Sequence, residues 1–102
     1  MSVIENVYLY RFNSHGQLLR DIETYEGKIY GPRCSSYQFM CQEGGFSFKC
    51  SGEEGELLYG NLWLREPDLD KAKELYVKNQ REKIKVLRKR IAEIEYDILT
   101  IQ

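Results

Sequence analysis

Three cysteines and one histidine are the residues of this sequence with the most versatile chemistry. A Cys₃His zinc site could in principle be built from Cys34, Cys41, Cys50 and His15. Structural zinc sites usually contain closely spaced ligand pairs such as C-x₂₋₄-C, whereas the gaps between these cysteines are seven and nine residues. The spacing therefore favours free, buried thiols, and we predict no metal site and no intramolecular disulfide. His15 could act in catalysis, but it falls in a predicted turn and is better interpreted as a solvated loop residue.

No other set of side chains forms a recognised catalytic or phosphate-binding motif. Glu53, Glu54 and Glu56 lie in a Gly-Glu-Glu-Gly-Glu stretch, which is typical of a solvated turn. The glycine pairs lack the rest of a GxxxxGK[ST] loop, and no GxGxxG precedes a helix. We therefore predict a protein that is not an enzyme and that binds no cofactor.

Aromatic side chains are the clearest recognition signal. Eleven of the thirteen lie in residues 1–66. Tyrosine is enriched at protein interfaces, and one sheet covered by one helix has a single core face, so one aromatic set should be exposed. The candidate recognition tyrosines are Tyr8, Tyr10 and Tyr37. The alternative is that these rings form cross-strand pairs that stabilise a thin sheet.

A change in composition near Glu66 and Pro67 divides the chain. All eight glycines and all three cysteines precede it. Glycine punctuates β structure and destabilises helix interiors. The sequence therefore predicts an α+β protein: a small antiparallel β-sheet head in residues 1–66, followed by one long C-terminal α-helix in residues 67–102 with a coiled-coil heptad.

Glycines and turn residues divide the head into strand-like runs. Glu5–Asn13 and Gln17–Tyr25 flank a Ser-His-Gly turn and predict a hairpin. Gly27 and Gly31 should interrupt the chain after this hairpin. A second hairpin is expected around the Glu-Gly-Gly turn at residues 43–45. The later strand-like runs are Ser36–Gln42, Phe46–Ser51 and Glu56–Arg65.

The C-terminal segment has the pattern of one uninterrupted helix. A helix over about Pro67–Ile101 would be ~50 Å long at ~1.5 Å per residue, which is more than the head can cover. The first half carries a stripe suited to packing on a sheet, formed by Leu69, Ala72, Leu75 and Tyr76. The second half carries an a/d heptad, formed by Ile84, Leu87, Ile91, Ile94, Ile98 and Ile101.

We expect residues 84–101 to form a homo-oligomer, because six large aliphatic side chains in water would destabilise a monomer. The alternatives are that the whole helix lies across its own sheet or that another protein docks on it. An antiparallel pair would bring Arg88 near Glu95 and Lys83 near Asp97. Isoleucine at both a and d also disfavours a simple parallel dimer.

A basic segment overlaps the start of the heptad. Residues 78–90 contain seven Lys or Arg and one acid, although the chain has a net charge of −1 and a pI near 5.9. Such a segment could meet a nucleotide or nucleic acid, or it could be a solvated helix face. We expect its charges to be spread around the helix. The candidate recognition residues are Lys78, Arg81, Lys85, Arg88, Lys89 and Arg90.

Composition and termini narrow the class of protein. The chain is 42% apolar and 30% charged, which is typical of a globular protein. No run approaches the ~20 apolar residues of a membrane span, and the first residues lack the pattern of a signal peptide. The odd cysteine count favours a reducing compartment. We therefore expect a cytoplasmic protein that does not bind membranes.

The passage into the helix provides one family resemblance. It is carried by Trp63, Leu64, Glu66, Asp68, Asp70, Lys71 and Ala72, followed by the helix to Ile101. The layout resembles small accessory proteins of bacteriophages and prophages in Gram-positive bacteria, with a tyrosine-rich β head and a lysine-rich heptad helix. The resemblance covers the second half of the chain and assigns no functional residue. It implies a stoichiometric role in the bacterial host, such as inhibiting a defence system by binding a protein or sequestering a signal nucleotide.

These observations lead to two hypotheses for function. The first is a non-catalytic oligomeric binding protein, a phage-type inhibitor whose head binds a host defence protein. The alternative is a nucleotide-sequestering or nucleic-acid-binding protein that uses residues 78–90 and the head aromatics.

Overall fold

A computed structural model of the chain describes residues 2–15, 18–33 and 36–102. Five strands form one antiparallel sheet in the order β4-β3-β2-β1-β5, and one helix follows them. The elements are β1 (Ser2–His15), β2 (Leu18–Arg33), β3 (Ser36–Cys41), β4 (Ser47–Cys50), β5 (Asn61–Leu64) and α1 (Leu69–Ile101). The predicted α+β class, with a β head and one long C-terminal helix, is confirmed.

The strands are longer at the start of the chain than the sequence predicts. β1 and β2 pair as the expected hairpin, but β1 extends through Ser14 and His15, two residues of the predicted turn. The predicted interruption at Gly27 and Gly31 was wrong, because β2 runs through both. A Cβ on Gly27 would clash with the backbone carbonyl of Met40 on β3. This glycine therefore permits close approach of two strands and does not end one.

The last strand is shorter than predicted. Of the run Glu56–Arg65, only β5 pairs with β1. The residues before it turn at Tyr59 and Gly60, which have φ angles of 54° and 78°. The carbonyl of Gly60 accepts a hydrogen bond of 2.8 Å from the backbone N–H of Phe12.

The sheet curls so that its two edge strands approach each other. The Asn61 Nδ2 donates to the carbonyl of Lys49 at 2.8 Å, and the Trp63 Nε1 donates to the carbonyl of Ser51 at 2.7 Å. Curling encloses one face of the sheet. This inner core consists of Val7, Leu9, Ile29, Phe39, Cys50 and Trp63.

The opposite face of β1 and β5 packs against the helix. This helix-side core consists of Tyr10, Phe12, Leu62, Leu64 and Ala72. The sheet is thus buried on both faces near β1, whereas we expected a single core face with one exposed aromatic set. The expectation of a single core face was wrong because the curled sheet supplies its own second cover.

The start of α1 is fixed by capping and by a short docking contact. Asp68 caps the helix, and its Oδ1 accepts from the backbone N–H of Lys71 at 3.0 Å. Ala72 is buried, and the ring of Tyr76 stacks on Phe12 with 4.3 Å between centroids. Leu75 also packs on the helix-side core, but the predicted contact of Leu69 is absent from that cluster, and Leu69 is 43% exposed.

Asn79 is the last residue of α1 for which the structure shows a hydrogen bond to the head. Its Oδ1 accepts from the backbone N–H of Leu57 at 3.3 Å, and its Nδ2 donates to the carbonyl of Gly55 at 3.2 Å. Every residue from Arg81 to Gln102 is exposed. The alternative in which the whole helix lies across its own sheet is therefore wrong.

Candidate functional site

The helix beyond the head, residues 81–101, is called the free helix segment below. It rises about 31 Å at ~1.5 Å per residue, which gives the molecule extents of 59 × 30 × 21 Å. The six predicted oligomerisation residues, called the heptad seam, lie along one side of this segment and are 43% to 87% exposed. Within the chain described, nothing covers them. The members of the heptad seam are Ile84, Leu87, Ile91, Ile94, Ile98 and Ile101.

The surface of the chain is larger than a compact protein of this mass requires. Its accessible area is 7822 Å², whereas a 12.1 kDa compact monomer exposes about 6,000 Å². The excess of about 1,800 Å² exceeds the ~800 Å² that each partner buries in a standard interface. A rod that carries exposed isoleucines in such an excess has the shape and chemistry of an interaction surface.

The basic candidates all lie exposed on the helix. Lys78, Arg81, Lys85 and Arg88 are separated by three, four and three residues, so they lie within about 80° of arc at ~100° per residue. Lys89 borders this basic stripe. Five of the seven basic residues thus lie on one side of the helix, and the other two lie on the opposite flank of the heptad seam. Arg90 lies on the other side of the heptad seam, 3.7 Å from the carboxylate of Glu93.

The three candidate tyrosines have different environments. Tyr10 is 2% exposed, and its hydroxyl oxygen accepts from the backbone N–H of Asp68 at 2.8 Å. Burial raises the pKa of Tyr10, so it remains a neutral phenol at physiological pH. Its assignment to a recognition face was wrong, because its ring belongs to the helix-side core. Tyr8 and Tyr37 are half-buried, against the helix-side core and the inner core respectively.

A group of aromatic rings lies at the open end of the inner face. The ring centroid of Phe48 is 5.2 Å from that of Tyr25 and 6.5 Å from that of Phe46, and Tyr25 is 6.4 Å from Phe46. We call these three residues the aromatic cluster. β1 contributes a cation to it, because the Arg11 Cζ lies 4.4 Å from the Phe48 ring centroid. Phe46 is 59% exposed, so the cluster is open to solvent.

A carboxylate borders the aromatic cluster. Glu23 accepts hydrogen bonds from the hydroxyl of Tyr25 and from the Nδ2 of Asn13. These two bonds, that from Tyr25 foremost, lower the pKa of Glu23 and hold it as an anion. The same contact raises the pKa of Tyr25. The site thus combines three rings, one fixed anion and one guanidinium.

Sequence reasoning assigned none of these residues to a site, neither the aromatic rings nor Arg11 and Glu23. A signal was present: Arg11 alternates with Val7 and Leu9, so a charged residue lies on an otherwise apolar strand face. The sequence did not show that Arg11 lies opposite Glu23, because that pairing depends on the register between β1 and β2.

A second concave feature lies beside a β-bulge in β1. Its volume is about 440 Å³, and its lining includes Tyr8, Glu5, Glu26, Lys28 and Cys41. Asn6 at the bulge has a left-handed φ of 57°, a backbone conformation that stores strain. Two carboxylates against one lysine disfavour a phosphate group in this cavity.

The thiols do not form a metal site within the described chain. Cys50 pairs with Tyr37, four positions along β3 from Cys41, so the two cysteines lie ~13 Å apart. They cannot share one zinc ion or form a disulfide, and the Cys₃His alternative is wrong for this pair. Burial raises the pKa of Cys50 to about 12, so it stays a thiol. Cys34 and the side chain of His15 lie outside the described residues; within those described, no group of three His, Cys, Asp or Glu could hold a metal ion.

No helix in the described part of the chain is both long enough and apolar enough to cross a membrane. The chain matches no family model, and no curated protein and no solved structure resembles it significantly.

Proposed function

We propose that this chain is a non-catalytic binding protein that self-associates through the free helix segment and presents its β head to a protein partner. The exposure of all six heptad-seam residues carries the proposal. Burying them against a second copy would recover ~1.5–3 kcal/mol for each fully buried side chain. The partner we propose for the head is a bacterial host protein, in keeping with the phage accessory proteins that the layout resembles.

A second copy of the chain fits the free helix segment better than an unrelated helix does. The segment runs from residue 81 to residue 101, and its midpoint is Ile91, the central a position of the heptad. An antiparallel partner centred on Ile91 would therefore use the whole free segment and end where the head begins. It would place Arg88 near Glu95 and Lys83 near Asp97, each twice by symmetry.

One like-charged pair opposes this arrangement. The two copies of Arg90 would meet near the symmetry axis, but each already pairs with Glu93 at 3.7 Å on its own helix. A parallel pair would instead bring Lys83 near Arg88 twice, with Arg90 near Glu95 as its only attractive contact. The balance of exposed charges favours the antiparallel pair, at ~0.2–1 kcal/mol for each contact.

Replacement of Ile91 by aspartate tests self-association. Ile91→Asp places an unpaired charge in the centre of the seam, which costs several kcal/mol or separates the helices. We expect a smaller species by light scattering coupled to size exclusion, with the β signal in circular dichroism retained and some helix signal lost.

Val86→Asp is the matched control for Ile91→Asp. Val86 is 67% exposed at a c position, away from the heptad seam. The same change of chemistry there should leave the oligomer intact. A wild-type chain that runs as a monomer at high concentration would contradict the proposal.

The basic stripe supports a second candidate, binding of a nucleotide or nucleic acid. Lys78, Arg81, Lys85 and Arg88 form a row that could follow a phosphate backbone. Native mass spectrometry of protein purified from cells separates the two candidates. A carried nucleotide would favour this one, and a co-purified host protein would favour the first.

A further inference from the structure

The aromatic cluster borders the buried inner core but includes an exposed ring. Phe39, its neighbour across β3 and β4, is completely buried, whereas Phe46 is 59% exposed. The three ring centroids lie 5.2–6.5 Å apart, and Tyr25 is tilted by 44° and 45° to the two phenylalanine rings. The Phe46 and Phe48 rings are parallel to within 3°, and the tilted Tyr25 ring packs on both. The three rings therefore form one continuous aromatic surface, which is most exposed at Phe46.

The charged groups beside the aromatic cluster indicate which kind of ligand it binds. The guanidinium of Arg11 already lies over Phe48, within the ~6 Å over which a ring face attracts a cation. Glu23, held by Tyr25 and Asn13, places a carboxylate beside the rings. Aromatic rings bordered by an anion are suited to organic cations. The head as a whole carries nine acids and six bases, and this acidic excess also favours a cationic ligand.

We propose that Tyr25, Phe46, Phe48 and Glu23 form a binding site for an organic cation of the partner, a guanidinium or a methylated ammonium. Arg11 is the internal cation that the ligand competes with. This inference rests on the proposed function of the head, whose partner it describes more closely, and it does not depend on helix self-association. A phosphate-bearing ligand is disfavoured at this site because Glu23 would repel it.

Titration of the full-length protein with tetramethylammonium chloride and with methylguanidinium chloride tests the proposal, against sodium chloride at equal ionic strength. We expect saturable shifts in the ring resonances of Tyr25, Phe46 and Phe48 by NMR. The same titration of Ile91→Asp should give the same affinity. A failure of self-association is thereby distinguished from a failure of cation binding by the aromatic cluster.

Substitutions around the aromatic cluster should change the affinity for a cation in opposite directions. Phe46→Ala and Glu23→Gln should each weaken cation binding by about two- to five-fold, as loss of one exposed cation contact predicts. Arg11→Gln should strengthen it, because the internal competitor is removed. Tyr96→Ala is the control, since Tyr96 is a 70% exposed aromatic on the helix, outside the cluster; it should change nothing.

Arginine-containing and trimethyllysine-containing peptides identify the source of the cation. Peptide binding that Phe46→Ala weakens would indicate a protein side chain, and binding of the free cations alone would indicate a small molecule. The proposal is overturned if neither wild type nor Arg11→Gln binds a cation while circular dichroism shows both folded. It is also overturned if Arg11→Gln weakens binding, or if adenosine shifts the same resonances at lower concentration than the cations do.

Discussion

At the scale of single residues, Tyr10 shows how one contact decides between a structural and a recognition role. Its ring lies in the helix-side core, and its hydroxyl accepts the backbone N–H of Asp68, the residue that caps α1. The residue therefore links the sheet to the start of the helix. A tyrosine in this position contributes to stability and is unavailable to a partner.

Tyr10→Phe should lower the free energy of unfolding by about 1 kcal/mol, because the N–H of Asp68 loses its acceptor. Tyr10→Ala should cost about 3–5 kcal/mol through the cavity it leaves in the core. Chemical denaturation measures both. Tyr59→Phe is the control, since Tyr59 is 71% exposed. A Tyr10→Ala protein as stable as wild type would contradict the assignment of Tyr10 to the core.

At the scale of elements, α1 has two parts with different surroundings. Residues up to Asn79 contact the head through apolar packing and through the side-chain amide of Asn79. Beyond Gln80 the same helix has only solvent around it in the single chain. The apolar stripe changes from a sheet-packing spacing to a heptad near this point, so the division is visible in both sequence and structure.

Arg88→Glu distinguishes the two orientations of a helix pair. In the antiparallel pair it removes two attractive contacts with Glu95 and adds repulsion in their place. Loss of the two contacts alone should raise the dissociation constant about 2- to 30-fold, and the repulsion should raise it further. In a parallel pair it would instead relieve repulsion with Lys83 and tighten the complex. Analytical ultracentrifugation at low salt measures the change. The double variant Arg88→Glu with Glu95→Arg should restore the antiparallel pair, and tighter association of the single variant would exclude that orientation.

At the scale of the whole molecule, the chain is a small head on a rod. Its radius of gyration is 16.8 Å, compared with ~13 Å for a compact domain of this length. The rod separates the head from the end of the chain, so the orientation of the helices decides where the heads lie in an oligomer. An antiparallel pair would hold two heads at opposite ends, and a parallel pair would hold them side by side.

Small-angle X-ray scattering should therefore report the arrangement directly. Two 59 Å chains that overlap over the free helix segment give a maximum dimension of about 90 Å when antiparallel, and about 60 Å when parallel. Ile91→Asp provides the monomer reference for the same measurement. A dimer no longer than its monomer would contradict the antiparallel arrangement.

Local patterns in the sequence were enough to predict the class of fold, the first hairpin and the helix. Periodicity and helix breakers act over a few residues, so they can be recognised without knowledge of distant contacts. The predicted helix begins only two residues before the observed Leu69, because Asp68 caps it. The exposed seam also follows from length, since a helix of 33 residues is longer than the sheet it docks on.

Only the tertiary structure decided which aromatics are buried and which surround a site. The sheet curls until the side chains of Asn61 and Trp63 reach the backbone of Lys49 and Ser51, residues far away in the chain. That closure encloses the inner face of β1 and leaves Arg11 over Phe48 at the open end. The helix covers the opposite face of β1 and buries Tyr10. Closure depends on contacts between edges more than ten residues apart, for which strand periodicity carries no signal.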